Sequence, residues 1–142
     1  MIIPKDSWNI CEKIIRRYPA NVKQYQLLVE EAMTKTNSTN FSGGDKNEET
    51  IHDQSSTEAA AIKLTSEYCE RIRREITAVE ESYESFRPEE QTVIKERFWI
   101  DPNRNTPFLK IIDTNYSERQ MRRICRRMIL YVGRRIGEIN TW

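Results

Sequence analysis

Residues 115–135 read NYSERQMRRICRRMILYVGRR, and this stretch has two chemically different faces when it is wound into a helix. At about 100° per residue, the arginines at positions 119, 122, 123, 126, 127 and 134 fall within an arc of about 140°. The opposite arc, about 120° wide, is apolar and contains Met121, Ile124, Cys125, Met128, Tyr131 and Val132. The sequence therefore predicts a helix, capped by Ser117, whose apolar side packs inward while its arginines face outward.

Two residues late in this helix depart from the two-faced pattern. Leu130 falls within the basic arc, and Arg135 falls within the apolar arc. Because both lie beyond the third turn, counted from Ser117, we expect the distal half of the helix to meet a different surface. That surface belongs either to the N-terminal helices or to a second subunit.

The residues before the arginine-rich helix predict a helix-turn-helix. Pro88 begins the segment PEEQTVIKERFW, which has acids in its first turn and bases in its last, as the helix dipole favours. Thr106-Pro107 then starts a short helix that holds the apolar residues Phe108, Leu109, Ile111 and Ile112. A tight turn over residues 113–115 leads directly into the basic helix, and this spacing is typical of the motif.

The remaining residues indicate two further helical segments and a linker. Residues 1–33 predict an N-terminal helical pair, with Pro19 in the first turn of the second helix. Residues 34–57 are polar and rich in glycine and serine, so we expect a flexible linker. Ser55 and Glu58 fit a capping box that opens a long helix to about Ser85, and residues 58–142 are the predicted C-terminal domain. The apolar stripe of that helix fits core packing or a coiled-coil seam.

The composition predicts an all-α protein and excludes several classes of function. Long alternating β-branched runs are absent, and no run of about 18 apolar residues could span a membrane. The first residues, MIIPKDSWN, lack a basic start and a long apolar run, so we expect no signal peptide, and three well-separated cysteines suit reduced thiols in a cytosol. His52 has no metal-ligand neighbours at suitable spacing. We find no catalytic set, so we expect neither an enzyme nor a metal or cofactor site.

The charge is distributed unevenly along a nearly neutral chain. Residues 86–142 contain 12 Lys or Arg against 7 Asp or Glu, whereas the first 85 residues contain 11 against 15. Seven arginines and no lysine lie between Arg119 and Arg135, and arginine's planar fork suits phosphate and the guanine edge. This pattern favours double-stranded DNA as a partner. The alternative is pairing with the acidic helix around Glu75–Glu84 of this chain or with a partner protein.

These residues also resemble a known group of regulators. The stretch FRPEEQTVIKERFW, followed by TPFLKIIDTNYSERQMRRICRRMILYVGRRIG, resembles the fourth region of bacterial sigma factors, whose recognition helix follows a Ser or Thr cap. The wider layout, including CEKIIRRYP, LLVEEAM and TEAAAIKL, resembles phage late-gene transcriptional regulators of the RinA/ArpU type. The resemblance implies a cytoplasmic activator in a bacterial host cell that binds upstream of a late operon, with RNA polymerase and a second copy of the chain as further partners.

The same resemblance implies roles for individual residues of the recognition helix. Carried over by position, the residues that face base edges are Glu118, Arg119, Arg122 and Arg123. Those that hold phosphates are Ser117, Gln120, Arg126 and Arg127.

Two alternative functions remain open from the residues. Small packaging-terminase subunits of phages also combine a helix-turn-helix with an oligomerising helical part. A pure interaction module that binds polymerase or another regulator, without DNA, is the third hypothesis.

Overall fold

The computed structural model describes residues 3–41, 67–101 and 103–139, with side chains left undescribed over 34–41. Within those ranges every regular element is helical, which confirms the all-α prediction. The helices are α1 (Lys5–Arg16), α2 (Tyr18–Phe41), α3 (residues 67–84), α4 (Pro88–Phe98), a short 3₁₀ helix (Phe108–Lys110) and α5 (Glu118–Ile136). No helix in the described part of the chain is long and apolar enough to cross a membrane.

The chain divides into two compact units along lines that differ from the predicted domains. One unit combines the residues before Asn21 with those from Arg74 onward, and the other spans Asn21–Arg73. The predicted N-terminal pair is therefore divided between units, because α1 buries Cys11, Ile14 and Ile15 in the first unit's core. Helix α2 continues to Phe41, past the predicted end at residue 33. The rest of the predicted linker, residues 42–57, lies outside the described residues.

Helix α5 is the central element of the first unit. Its apolar side is buried as predicted, and it packs against α1, α4 and the 3₁₀ helix. Met128 and Val132 are completely inaccessible to solvent, and Ile129 and Gly133 are buried as well. Tyr131 is half-buried and its ring centroid lies 5.4 Å from that of Phe86. Burial of this many apolar groups on one helix fixes its rotation about its own axis.

The distal half of α5 meets other parts of the same chain. A methyl group added at Gly133 would lie 3.0 Å from Cys11 Sγ and closer still to the side chain of Ile139, so this position requires a glycine-sized residue. Arg135 donates to Glu81 Oε2 at 3.3 Å and to Ser82 Oγ at 3.5 Å, both on α3. The distal half of α5 therefore meets α1, one of the N-terminal helices named in the prediction, and also α3, which the prediction did not include.

Two helix starts agree with the sequence prediction, at Pro88 and at Ser117, whereas the capping box predicted at Ser55 and Glu58 lies outside the described residues. Helix α4 begins at Pro88, and the Arg87 backbone N–H donates to Glu90 Oε1 at 3.0 Å. The Gln120 backbone N–H donates to Ser117 Oγ at 3.2 Å, while the Ser117 N–H donates to Gln120 Oε1 at 2.8 Å. This reciprocal pair satisfies two backbone donors that the first turn of α5 would otherwise leave unpaired.

The segment before α5 is less regular than predicted. Instead of a short α-helix, it contains a single 3₁₀ turn, Phe108–Lys110. Phe108 and Ile111 are buried, whereas Leu109 and Ile112 are 85% and 81% exposed. A 3₁₀ turn has about three residues per turn, so Phe108 and Ile111 share one side, which faces the core, and Leu109 and Ile112 share another, which faces solvent. The short helix predicted over these four apolar residues is therefore a 3₁₀ turn that buries Phe108 and Ile111 and leaves Leu109 and Ile112 exposed.

Candidate nucleic-acid interface

The exposed side of α5 carries the residues that the sequence analysis assigned to base edges. The side chains of Arg119 and Arg123 are exposed and make no hydrogen bond, ion pair or ring contact with the rest of the described chain. They lie about one turn apart, so their guanidinium groups project from the same face. Two unpaired arginines on a rigidly packed helix leave positive charge and ten N–H donors directed at solvent.

The other two predicted base contacts are paired with each other. Arg122 donates to Glu118 Oε1 at 2.9 Å, and both side chains are at least half exposed. Such an i,i+4 pair on a helix surface stabilises by only about 0.3–0.5 kcal/mol, so it can open when either side chain finds a better partner. The Arg122 guanidinium carbon also lies 5.1 Å from the centroid of the Phe108 ring. Arg122 is therefore held towards the 3₁₀ helix.

The predicted phosphate contacts at the start of α5 already serve the helix end. Ser117 and Gln120 are exposed, and their side chains form the reciprocal cap described above. A helix start of this kind is a favourable place for an anion, because the helix dipole and free N–H groups point outward there. The side chains of Ser117 and Gln120 therefore already have hydrogen-bond partners within the helix cap, and a phosphate at this position would share them.

Arg126 and Arg127, the remaining predicted phosphate contacts, differ in their surroundings. Arg126 is exposed, with its guanidinium carbon 5.9 Å from the Trp8 ring centroid on α1. Arg127 donates to Glu90 Oε2 on α4 at 3.0 Å and lies 4.9 Å from the Phe86 ring centroid. A hydrogen bond with Tyr131 is the main cause of a raised pKa of Arg127; burial acts against it, and the ion pair with Glu90 adds to the increase. Arg127 is therefore engaged in packing α4 against α5.

The two sides of the exposed α5 face differ in charge. On the α4 side lie Glu90, bound to Arg127, and Glu89, which accepts a hydrogen bond from the Tyr116 hydroxyl at 3.5 Å. Around Arg122, on the α1 side, lie two arginines that the sequence analysis did not single out, Arg16 of α1 and Arg97 of α4, together with one acid, Glu12 of α1, which accepts a hydrogen bond from Trp8 Nε1 at 3.1 Å. Their placement depends on how α1 and α4 end beside the 3₁₀ helix, and no spacing along the sequence indicates it. The sequence did indicate that Arg97 is a basic residue in the last turn of a helix, and this was the one signal that could have drawn attention to it.

The described residues give little support for metal binding or for catalysis by a cysteine thiol. They contain no cluster of three or more histidine, cysteine or acidic side chains that could hold a metal ion. Burial raises the pKa of the Cys125 thiol to about 12 and that of Cys11 to about 11, so neither is an activated nucleophile. The arrangement offers exposed guanidinium groups on a fixed helix.

No family model matches this chain, and neither a curated protein nor a solved structure matches it with significance.

Proposed function

We propose that this chain is a sequence-specific DNA-binding transcriptional regulator. The observation that carries the proposal is the pair of exposed, unpaired guanidinium groups of Arg119 and Arg123 on α5. An α-helix fits the major groove of B-form DNA, and arginine binds the O6 and N7 atoms of guanine with two hydrogen bonds. The opposite side of α5 is buried in the core, so the helix backbone already has the conformation needed for binding. DNA binding therefore requires little loss of backbone conformational entropy.

The proposed roles follow from position and availability. Arg119 and Arg123 read base edges, and Arg122 and Glu118 join them when their surface ion pair opens. Arg126 binds phosphate, since its guanidinium is exposed. Ser117 and Gln120 position the start of the helix near a phosphate while they cap it.

The biological setting of the proposal rests on the resemblance of the sequence alone. In that setting the protein activates a phage or prophage late operon in the cytoplasm of a bacterial host cell. It performs no catalysis, uses no cofactor, and works with RNA polymerase and a second copy of itself as partners. A packaging subunit and a polymerase-binding module remain the competing functions, and each predicts a different outcome below.

The test is a titration of labelled duplexes, followed by fluorescence anisotropy, with the wild type and the Arg123→Ala variant. At about 50 mM salt, where electrostatic binding is strong, we expect the wild type to bind any duplex and to bind its genomic site more tightly. Arg123→Ala should lose about 1–3 kcal/mol on the genomic site and much less on random sequence. Arg73→Ala is the control, because it removes an exposed arginine of α3 to which the proposal assigns no DNA contact.

Three results would contradict the proposal. Absence of duplex binding by the wild type at low salt would favour the interaction module. Equal losses on genomic and random duplexes would remove the base-reading role of Arg123. A large ring in solution, with no preference for any sequence, would favour a packaging subunit.

A further inference from the structure

Three arginines from three different helices surround one short segment of the first unit. Arg16, in the last turn of α1, donates from Nη1 to Asn105 Oδ1 at 3.4 Å. Arg97, in the last turn of α4, donates from Nη1 to the Thr106 carbonyl at 2.8 Å, and its guanidinium carbon lies 4.0 Å from the Phe108 ring centroid. Arg122 of α5 lies against the same ring, at 5.1 Å. The cluster is therefore continuous with the exposed face of α5.

The fold fixes the backbone around this cluster. The Trp99 indole Nε1 donates to the Ile15 carbonyl at 2.6 Å, which ties the end of α1 to the end of α4. The Thr106 N–H donates to the Arg97 carbonyl at 2.8 Å, so Arg97 and Thr106 are joined by two hydrogen bonds.

The cluster holds more positive charge than its acidic neighbours neutralise. Among the described residues, no carboxylate forms an ion pair with Arg16 or Arg97, and Arg122 is paired only with the exposed Glu118. Burial lowers the pKa of Arg97, and the charges of Arg122 and Arg16 act in the same direction, against Cys125 and Glu12. Three arginines at fixed positions, with only Glu118 and Glu12 as acidic neighbours, leave a local positive potential that favours an anion.

We propose that Arg16 and Arg97 form a phosphate-binding site for the DNA strand that runs past Arg122 on the α1 side of α5. This inference rests on the proposed function. The opposite side of α5 presents Glu89 and Glu90 and is the less favourable path for a phosphate backbone. Arginine binds phosphate with two parallel, charge-assisted hydrogen bonds, and contacts of this kind set the orientation of a protein on the duplex.

The experiment compares the salt dependence of binding for the wild type and the Arg16→Gln variant on random-sequence and genomic duplexes. Each phosphate contact contributes about 0.9 to the slope of log K against log salt. Arg16→Gln should therefore reduce the slope by about 1 on both duplexes and leave the preference between them unchanged. Arg97→Lys keeps the charge but loses the fork, so it should weaken binding and retain most of the slope.

Two controls keep a loss of binding distinct from a loss of folding. Arg73→Gln removes the same charge from α3 and should leave the slope at its wild-type value. Arg16 is half-exposed and its bond to Asn105 is long, so Arg16→Gln should unfold thermally at nearly the wild-type temperature.

The outcomes separate the inference from the proposed function. A wild-type slope for Arg16→Gln, with Arg123→Ala still losing preference for the genomic site, would overturn the phosphate site and leave the regulator standing. A loss confined to the genomic duplex would also overturn it, because a phosphate contact acts on every sequence. Absence of wild-type binding to any duplex would overturn both.

Discussion

Replacement of Arg127 by alanine separates a packing role from a DNA-binding role for this residue. The resemblance assigns Arg127 to phosphate, whereas the structure shows its guanidinium bound to Glu90 across the contact between α4 and α5. The Glu90 side chain is 13% exposed and that of Arg127 is 44% exposed. Arg127→Ala would therefore leave a mostly buried carboxylate without its cation.

The magnitude of the loss follows from these contacts. A hydrogen bond to a charged group contributes about 1.5–3 kcal/mol, and the exposure of Arg127 reduces this value through solvent screening. Its position over the Phe86 ring adds about 0.5–1 kcal/mol. We expect Arg127→Ala to lower the free energy of unfolding by about 1–2.5 kcal/mol and to leave the salt slope of DNA binding close to the wild-type value.

The assay is urea unfolding followed by helical circular dichroism, together with the salt titration. Arg123→Ala is the matched control. It is the same substitution one turn earlier on α5, and the Arg123 side chain makes no hydrogen bond, ion pair or ring contact with the described residues. It should change stability by less than about 0.5 kcal/mol. A double-mutant cycle that combines Arg127→Ala with Glu90→Gln should give a coupling free energy of at least about 0.5 kcal/mol between the two residues. Unchanged stability together with a slope reduced by about 1 would refute this reasoning and restore Arg127 as a phosphate contact.

Three further predictions concern the packing of the first unit and its thiols. Met128 is completely buried, so Met128→Ala should lower the free energy of unfolding in urea by about 2–5 kcal/mol; a loss below about 1 kcal/mol would contradict its central position. Ser117→Ala removes the cap of α5 and should cost about 0.5–2 kcal/mol in thermal unfolding, with no change expected if the cap is absent in solution. Burial raises the pKa of Cys11 to about 11 and of Cys125 to about 12, so at neutral pH a thiol reagent should modify only half-buried Cys69 quickly in the native protein; rapid reaction of two or more thiols would contradict this burial.

The sequence predicted α5 well because local rules determine most of that helix. The cap at Ser117 needs only residues within one turn, and the separation into an apolar and a basic side follows from the helical period. The start of α4 at Pro88 was predicted for the same reason, since proline favours the first turn of a helix. These features depend on short-range geometry, which the sequence contains directly.

The remaining features depend on contacts between segments that are distant in the sequence. Helix α2 extends to Phe41 although its last residues are polar, and composition favoured a linker there. The 3₁₀ turn exposes Leu109 and Ile112, although their apolar side chains suggested burial. Arg16 and Arg97 are separated by 80 residues in the chain and meet the same segment because α1 packs beside α5. Periodicity describes one helix at a time and carries no information on which helices become neighbours.

The central claim is that the exposed arginines of α5 bind duplex DNA with a preference for sequence. The most direct measurement is selection of bound fragments from the source genome, performed in parallel with the wild type and an Arg119→Ala/Arg123→Ala double variant. The proposed function predicts one recurrent sequence among the wild-type fragments and its loss with the double variant, whose fold circular dichroism should show to be intact. Recovery of no enriched sequence with the wild type, or the same enrichment with both proteins, would contradict the claim.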